Sequence, residues 1–210
     1  MLMFSAKFTV VVAFLAATSF AAPALQGRHS MDPCAGLGNY TYSTASGFSL
    51  AALYTDATNA NRTGVPLVLG DTADSSTSNA ILATLASAPA YTWPGPEMSL
   101  VDGALYPVSS DPDVSASGSA VTAGGELRFT ITQPLSDPID GAEIYCVQSF
   151  GSPAGFQLPV LAVNGDTGSF SLCATNEDDT SQVNVVYQAA PRDSNYKYDT
   201  CLPVRLQVVY

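Results

Sequence analysis

The chain has little positive charge, few charged residues of either sign and almost no histidine. Its 210 residues include seven Lys or Arg, 18 Asp or Glu and one His, for a formal net charge of −11. Charged side chains make up 12% of the chain, about half of the ~25% that is usual for globular proteins. Nucleic acids and anionic membrane surfaces are bound through clustered Lys and Arg, so we expect neither as a partner.

The scarcity of histidine and the spacing of the cysteines narrow the chemistry further. His29 is the only imidazole in the chain, and Ser-His-Asp or Cys-His catalysis needs an imidazole held in a pocket. The four cysteines form no C-x-x-C pair, the spacing typical of zinc and redox sites. We therefore expect no metal and no cofactor, and we favour a non-catalytic role over an enzymatic one.

Residues 1–21 have the features of a secretory signal peptide. A lysine precedes an apolar stretch at 8–20, and the small residues Ser19 and Ala21 occupy the −3 and −1 positions of a cleavage site. The apolar stretch is shorter than the ~20 residues that a transmembrane helix needs. We expect cleavage after Ala21, or else after Ala24, and a loose segment over 22–33. The mature chain then keeps six basic side chains against 18 acidic ones, a net charge of −12.

The cysteines agree with export to the extracellular space or the cell wall. Cys34, Cys146, Cys173 and Cys201 all lie beyond the predicted signal peptide, and an even number of cysteines in an exported chain predicts disulfides. Three pairings can form, and proximity alone favours Cys34 with Cys146 and Cys173 with Cys201.

Two N-x-S/T sequons also fit an exported chain. They are Asn39-Tyr40-Thr41 and Asn61-Arg62-Thr63, and neither has proline at the middle position. Together with a signal peptide, they predict N-linked glycans at Asn39 and Asn61 on exposed turns.

Apolar and polar residues alternate along much of the chain, as they do in half-buried β-strands. The candidate strands cover 48–54, 65–69, 98–101, 104–108, 126–132, 142–148, 157–163, 169–172, 182–187 and 204–210. Asp-Gly and Asn-Gly pairs between them suit tight hairpin turns. The strongest predicted hairpin joins 160–163 to 169–172 through Asn164 and Gly165.

About nine or ten short strands with closely spaced turns predict an all-β fold, either an antiparallel β-sandwich or a barrel, with at most one short helix. The helix candidate is 78–87, where apolar residues recur at near-helical spacing, and a loop is the alternative. Residues 34–210 are expected to form a single domain. Two small packed β-units, divided near 109–120, are the alternative organisation.

Paired carboxylates are the one catalytic option that the composition leaves. Glycosidases need two of them, but we expect Glu126 and Glu143, which follow turns and precede strands, to be solvated like most surface acids. The acidic run at 176–179 has oxygen ligands of the kind calcium prefers. It lacks the spacing of an EF-hand loop, and a solvated turn explains it equally well.

The loop at 91–96 holds the single tryptophan next to prolines. Aromatic rings in fixed loops can stack on the faces of sugars, so Trp93 and Tyr91 are the candidate ligand-binding residues. The alternative is that Trp93 anchors a long connection to the core. Further aromatic faces are available from Tyr40, Tyr42, Tyr196 and Tyr198.

Six segments spread over residues 48–210 carry a resemblance to other proteins. They are 48–53, 61–70, 99–103, 163–173, 184–187 and 199–201. Together they resemble a group of uncharacterised small secreted β-proteins of mushroom-forming (basidiomycete) fungi. The resemblance implies export into the cell wall or the surrounding matrix, and it implies no catalytic residues.

We therefore predict a secreted, non-catalytic β-protein of the cell wall, extracellular matrix or host interface, with glycan binding as its most concrete form. The candidate partners are a cell-wall polysaccharide or a matrix protein. One alternative is a carboxylate-based glycan-active enzyme, which requires a cleft with two acids within ~10 Å of each other, one of them desolvated. Another is a carrier of a small apolar ligand inside a barrel.

Overall fold

The computed structural model describes residues 32–56, 63–72, 78–88, 93, 95–132, 140–150, 158–176, 178, 180–191 and 193–210. The predicted signal peptide, its cleavage site and His29 lie outside these residues. The strands are β1 (Thr41–Tyr42), β2 (Ala45–Tyr54), β3 (Val65–Asp71), β4 (Asn79–Thr84), β5 (Met98–Val101), β6 (Ala104–Pro107), β7 (Ser115–Gly118), β8 (Arg128–Thr132), β9 (Tyr145–Gln148), β10 (Val160–Val163), β11 (Phe170–Ala174), β12 (Val183–Tyr187) and β13 (Leu202–Val209). A 3-10 turn, Tyr198–Thr200, precedes β13, and no helix in the described part is long and apolar enough to cross a bilayer.

Six of the strands close into an antiparallel barrel, which confirms the predicted all-β class. The order around the barrel is β2, β13, β11, β12, β4, β3 and back to β2. The longest ladder runs along β13 and β2, from Val204 opposite Tyr54 to Val209 opposite Ser49. Because the barrel is closed, each of these six strands pairs with a neighbour on both of its edges over at least part of its length.

The other strands extend the barrel at one end. β13 first pairs with β11 and then, at Gln207, with β10, which continues to β9 and β1. The beginning of β2 pairs with β5, and β5 with β6. The register between β2 and β5 shifts next to Gly47, whose φ of 67° marks a bulge. β8 pairs with β4, and β7 with β8.

One contiguous apolar core runs through the barrel and the added strands. Its largest members are Trp93, Tyr145, Phe48, Phe129 and Phe170, each at most 1% exposed. All six barrel strands contribute buried side chains to it, among them Leu50, Leu67, Leu82, Leu172, Val185 and Leu206. The barrel interior is therefore packed with side chains, as small barrels are.

Two disulfides connect distant segments of the chain. Cys34 bonds to Cys146 of β9, and Cys173 of β11 bonds to Cys201, the residue before β13. These are the pairings that proximity favoured, and no cysteine is free in the part of the chain that the structure describes. Both bonds are compatible with an extracellular location.

The predicted helix over 78–87 is wrong, because residues 79–84 form strand β4. Ala80 and Leu82 face the main core, while Ile81 and Ala83 are covered on the opposite face, so the last five residues of the strand are buried. A strand buried on both faces has a continuous apolar run, which periodicity cannot distinguish from a buried helix. The short strands β1 and β7 were not predicted either, and β7 lies inside the expected link over 109–120.

The predicted hairpin around Asn164 and Gly165 forms its turn without its ladder. The two residues have φ values of 52° and 76°, as in a type I′ turn, and Val163 pairs with Asp166 alone. Beyond the turn, both strands pair with β13, β11 at Leu202–Val204 and β10 at Gln207. The two predicted hairpin strands therefore pair with different parts of one edge of the C-terminal strand.

Candidate functional site

A groove of about 1170 Å³ opens where β6 and β7 lie next to each other. The antiparallel pairings give these two strands the same direction, since β6 is two steps from β2 and β7 is four. They form no ladder with each other in the described structure. Tyr106 of β6 and Ser117 and Gly118 of β7 line the floor of the groove. The walls are residues 32, 33 and 35, the β5–β6 turn, residues 140–144 and the β10–β11 turn.

The segment at 140–142 crosses over the two strands at contact distance. A Cβ at Gly141 would lie 2.9 Å from the Cβ of Ala104 and 3.4 Å from that of Ser117, so only glycine fits there without displacement. The Gly141 N–H donates to the Tyr106 hydroxyl at 3.3 Å, and the Ala142 N–H donates to the Gly118 carbonyl at 2.9 Å. These contacts fix both the wall and the Tyr106 hydroxyl.

Four carboxylates line the groove, and no basic side chain is among the described residues that line it. They are Asp32, Asp102, Asp140 and Glu143, and all four side chains are exposed. Asp102 occupies the first central position of the β5–β6 turn with a φ of 48°, a conformation that Asp and Asn tolerate. The Thr44 hydroxyl lies 3.5 Å from its Oδ1.

The groove also offers hydroxyl groups. Ser117 lines the groove, and its side chain is 3% exposed. Ser119 and Thr130 share a hydrogen bond of 3.2 Å between their hydroxyls. Hydroxyls and carboxylates together supply the donors and acceptors that hydrogen-bond the hydroxyls of a sugar.

The turn at one wall of the groove is held by Asp166. Its Oδ1 accepts the N–H of Gly168 at 2.8 Å and that of Ser169 at 3.2 Å. Burial raises the pKa of this carboxyl, but its hydrogen bonds outweigh burial and hold the pKa below the ordinary value. Burial, and then the charge of Asp166, raise the pKa of neighbouring Tyr187.

Trp93 lies in the core and not in the groove. Its side chain is 1% exposed, and its indole N–H donates to the Val108 carbonyl at 3.0 Å. The ring has no open face on which a sugar can stack, so the structure supports the alternative in which Trp93 anchors its loop. Tyr91 lies outside the described residues.

The other candidate tyrosines do not line the groove. Tyr196 is 3% exposed, and its hydroxyl bonds to the backbone of Ala190. Tyr40, Tyr42 and Tyr198 are exposed. Tyr42 lies on β1, Tyr40 directly precedes β1, and Tyr198 lies in the 3-10 turn.

Of the two candidate acids, Glu143 is exposed as expected and Glu126 is buried, contrary to the prediction. Glu126 forms an ion pair of 2.8 Å with Arg128, and it accepts a hydrogen bond of 2.6 Å from the Asn184 amide. It does not line the groove. Its partners satisfy both carboxylate oxygens, which is how a buried acid is accommodated structurally.

The metal and glycan predictions are tested only in part. Residues 177 and 179 of the acidic run lie outside the described residues, and no group of three or more His, Cys, Asp or Glu in the described part could hold a metal ion. The side chain of Asn39 is exposed in a bend before β1. Asn61 lies outside the described residues, so both glycosylation sites stay predictions.

The groove therefore combines exposed acids, hydroxyls and small residues, and Trp93 is not among the residues that line it. Comparison with protein-family models, with curated proteins and with solved structures finds no match to this chain.

Proposed function

We propose that the protein is an extracellular, non-catalytic β-barrel protein of the cell wall or matrix that binds a polysaccharide in the groove beside β6 and β7. The observation that carries this proposal is the groove itself, with four exposed carboxylates and the hydroxyls of Tyr106 and Ser117. Its volume of about 1170 Å³ exceeds the roughly 300–1,000 Å³ of pockets that enclose a small molecule. An open groove of this size suits several rings of a chain.

Binding is better supported than hydrolysis. A glycosidase needs one carboxyl that keeps its proton, which desolvation provides, and the four acids of the groove are exposed. The buried acid, Glu126, is paired and lies outside the groove. A carrier of an apolar ligand is supported less, because side chains pack the barrel interior.

An extracellular location is supported by the two disulfides and by the exposed sequon at Asn39. When the full chain is expressed in a eukaryotic secretory host, we expect a glycosylated product in the medium. Endoglycosidase should increase its gel mobility, and Asn39→Gln should remove one step of that shift. A product retained in the cell without any shift would contradict the proposed location.

Groove binding is tested with chitin, its deacetylated form, β-glucan and plant cell-wall polymers. Ala120 is exposed at the groove, so Ala120→Trp should fill it without disturbing the core. Ala86→Trp, in the exposed turn after β4, is the matched control. We expect the wild type and the control to bind at least one polymer and Ala120→Trp to lose at least about tenfold in affinity, or ~1.4 kcal/mol. Failure of the wild type to bind any of them, or full affinity of Ala120→Trp, would reject the proposal.

A further inference from the structure

The turn between β10 and β11 contains the only Asn-Gly pair in the sequence, Asn164-Gly165. Both residues have positive φ values, and Asn164 is exposed. Asparagine is one of the thermally labile residue types, because the peptide nitrogen of the next residue can attack the carbon of its side-chain amide. Glycine hinders this attack least, since it has no side chain beside that nitrogen. The pair therefore has the composition of a site of chemical modification.

The hydrogen bonds of the attacking nitrogen distinguish this turn from two related ones. The two Asp-Gly pairs of the chain, at 102–103 and 140–141, have the same arrangement of carboxyl-derived carbon and glycine nitrogen. The glycine N–H of the first donates to the Ser43 carbonyl at 2.8 Å, and that of the second donates to the Tyr106 hydroxyl at 3.3 Å. The Gly165 N–H has no acceptor among the described residues. Attack requires the nitrogen to lose its proton, so only at Gly165 does the reaction break no hydrogen bond of that nitrogen.

We propose that Asn164 is a site of spontaneous deamidation. The Gly165 nitrogen gives its proton to hydroxide and forms a bond to Cγ of Asn164. The bond from Cγ to Nδ2 then breaks, and Nδ2 takes up a proton and leaves as ammonia. Water adds to either carbonyl of the resulting five-membered ring and opens it. The product is aspartate or isoaspartate at position 164, and the net reaction consumes one water and releases one ammonia.

The product loses a contact that the amide makes in the fold. The Nδ2 of Asn164 donates to the Val121 carbonyl at 3.2 Å, whereas an ionised carboxylate only accepts hydrogen bonds and repels the carbonyl oxygen. Isoaspartate also lengthens the backbone of a tight turn. We therefore expect deamidation to destabilise the turn, and because Asn164 and Gly165 line the groove, it alters one wall of the groove.

Peptide mass spectrometry of the folded mature protein tests the site. The protein is incubated in mildly alkaline buffer made with water enriched in heavy oxygen, so that any modification during the incubation is labelled. We expect the peptide that covers 160–168 to yield two labelled products of equal mass, at a rate that rises with hydroxide concentration. Asn195, which is exposed and followed by tyrosine, is the internal control. It should react at least about tenfold more slowly, because the side chain of the next residue hinders attack.

Two variants separate the reaction from its effect on the fold. Asn164→Gly removes the amide and keeps a turn sequence, since Gly-Gly also suits type I′ turns, and its peptide should stay unlabelled. Asn164→Asp reproduces one of the two products. We expect this variant, and the deamidated wild-type fraction isolated by anion exchange, to unfold at a lower temperature than the unmodified protein.

Four results would overturn the proposal. Retention of the amide at Asn164 in the folded protein would do so, and deamidation there only after unfolding in urea would show that the turn protects it. Labelling of Asn195 as fast as that of Asn164 would remove the role of the glycine. Faster labelling at either Asp-Gly pair would remove the role of the free Gly165 N–H. Equal unfolding temperatures of the deamidated fraction and the unmodified protein would contradict the expected loss of the Val121 contact.

Discussion

Trp93 packs its ring into the core and donates its N–H to the Val108 carbonyl, so it ties the loop before β5 to the chain after β6. Trp93→Ala should lower the free energy of unfolding by about 3–5 kcal/mol, as large-to-small core substitutions do. Trp93→Phe should cost less, because it keeps a ring and loses mainly the hydrogen bond. Urea unfolding measures both.

The same pair of variants separates anchoring from ligand binding. Below the unfolding transition, both variants should keep the wild-type affinity for the polymer that the protein binds. A stable Trp93→Ala variant that no longer binds would show instead that the ring contacts the ligand.

Asp166 should make stability depend on pH. Its hydrogen bonds hold the pKa of the folded state below the ordinary value of 3.8, against the raising effect of burial. The stabilisation is therefore complete above the unfolded-state pKa and is lost as pH falls through the lowered folded-state pKa. The stability advantage of the wild type over Asp166→Asn should be largest near neutral pH and should disappear in strong acid. Thermal unfolding across a pH series measures this difference, and an advantage that grows towards acid pH would contradict the assignment.

At the scale of elements, Glu126 links β8 to β12 on the face of the sheet that points away from the core. Its carboxylate binds Arg128 of β8 and the amide of Asn184 in β12, and both of these strands pair with β4. Glu126→Ala leaves the buried Asn184 amide without its acceptor, which costs about 1–3 kcal/mol. Glu126→Gln keeps that acceptor and should cost less. Chemical denaturation ranks the two, and equal stability of Glu126→Ala and wild type would contradict this role.

The sequence predicts strands well where polar and apolar residues alternate, and it fails where apolar residues follow one another without a break. β8, β12 and β13 alternate in polarity, although β12 is buried on both faces, whereas β4 is buried on both faces and resembles a helix in its apolar spacing. The burial of Glu126 was missed because alternation places it on the face opposite the core, and that face is covered here. The pairing of the strands on either side of Asn164 was missed because turn residues determine only the local turn. Both strands pair with β13, which lies at the far end of the chain.

At the scale of the whole molecule, the two disulfides should contribute unequally. The Cys34–Cys146 bond spans 112 residues and the Cys173–Cys201 bond spans 28, for which the chain-entropy model gives about 4.8 and 3.6 kcal/mol. Replacing each pair with serine should therefore destabilise the protein more at the first bond, as chemical denaturation would show.

The disulfide variants also test the groove, because Cys34 lies in the chain between the lining residues Pro33 and Ala35. Loss of the Cys34–Cys146 bond should weaken polymer binding in the folded protein, and loss of the Cys173–Cys201 bond should leave it unchanged. The opposite order would place the ligand elsewhere on the barrel.

The groove could not have been predicted from the sequence. Its residues come from distant positions, namely 32, 33, 35, 101, 102, 104, 106, 117–120, 130, 140–144, 164 and 165. They share no spacing, and closure of the barrel brings them together. The excess of acids was visible from composition. The tryptophan in the loop at 91–96 suggested a sugar-binding ring, but Trp93 is a core residue. A ring that binds a sugar and a ring that anchors a loop have the same sequence pattern.

Hydrogen–deuterium exchange of the full mature protein, with and without a saturating concentration of the polysaccharide that it binds, tests the central claim most directly. The account predicts slower exchange in the peptides that cover 101–106, 115–120 and 140–144, and unchanged exchange around the exposed tyrosines at 40–42. Ligand saturation without protection in those three peptides, or with protection confined to other surfaces, would contradict the claim that the groove binds the polymer.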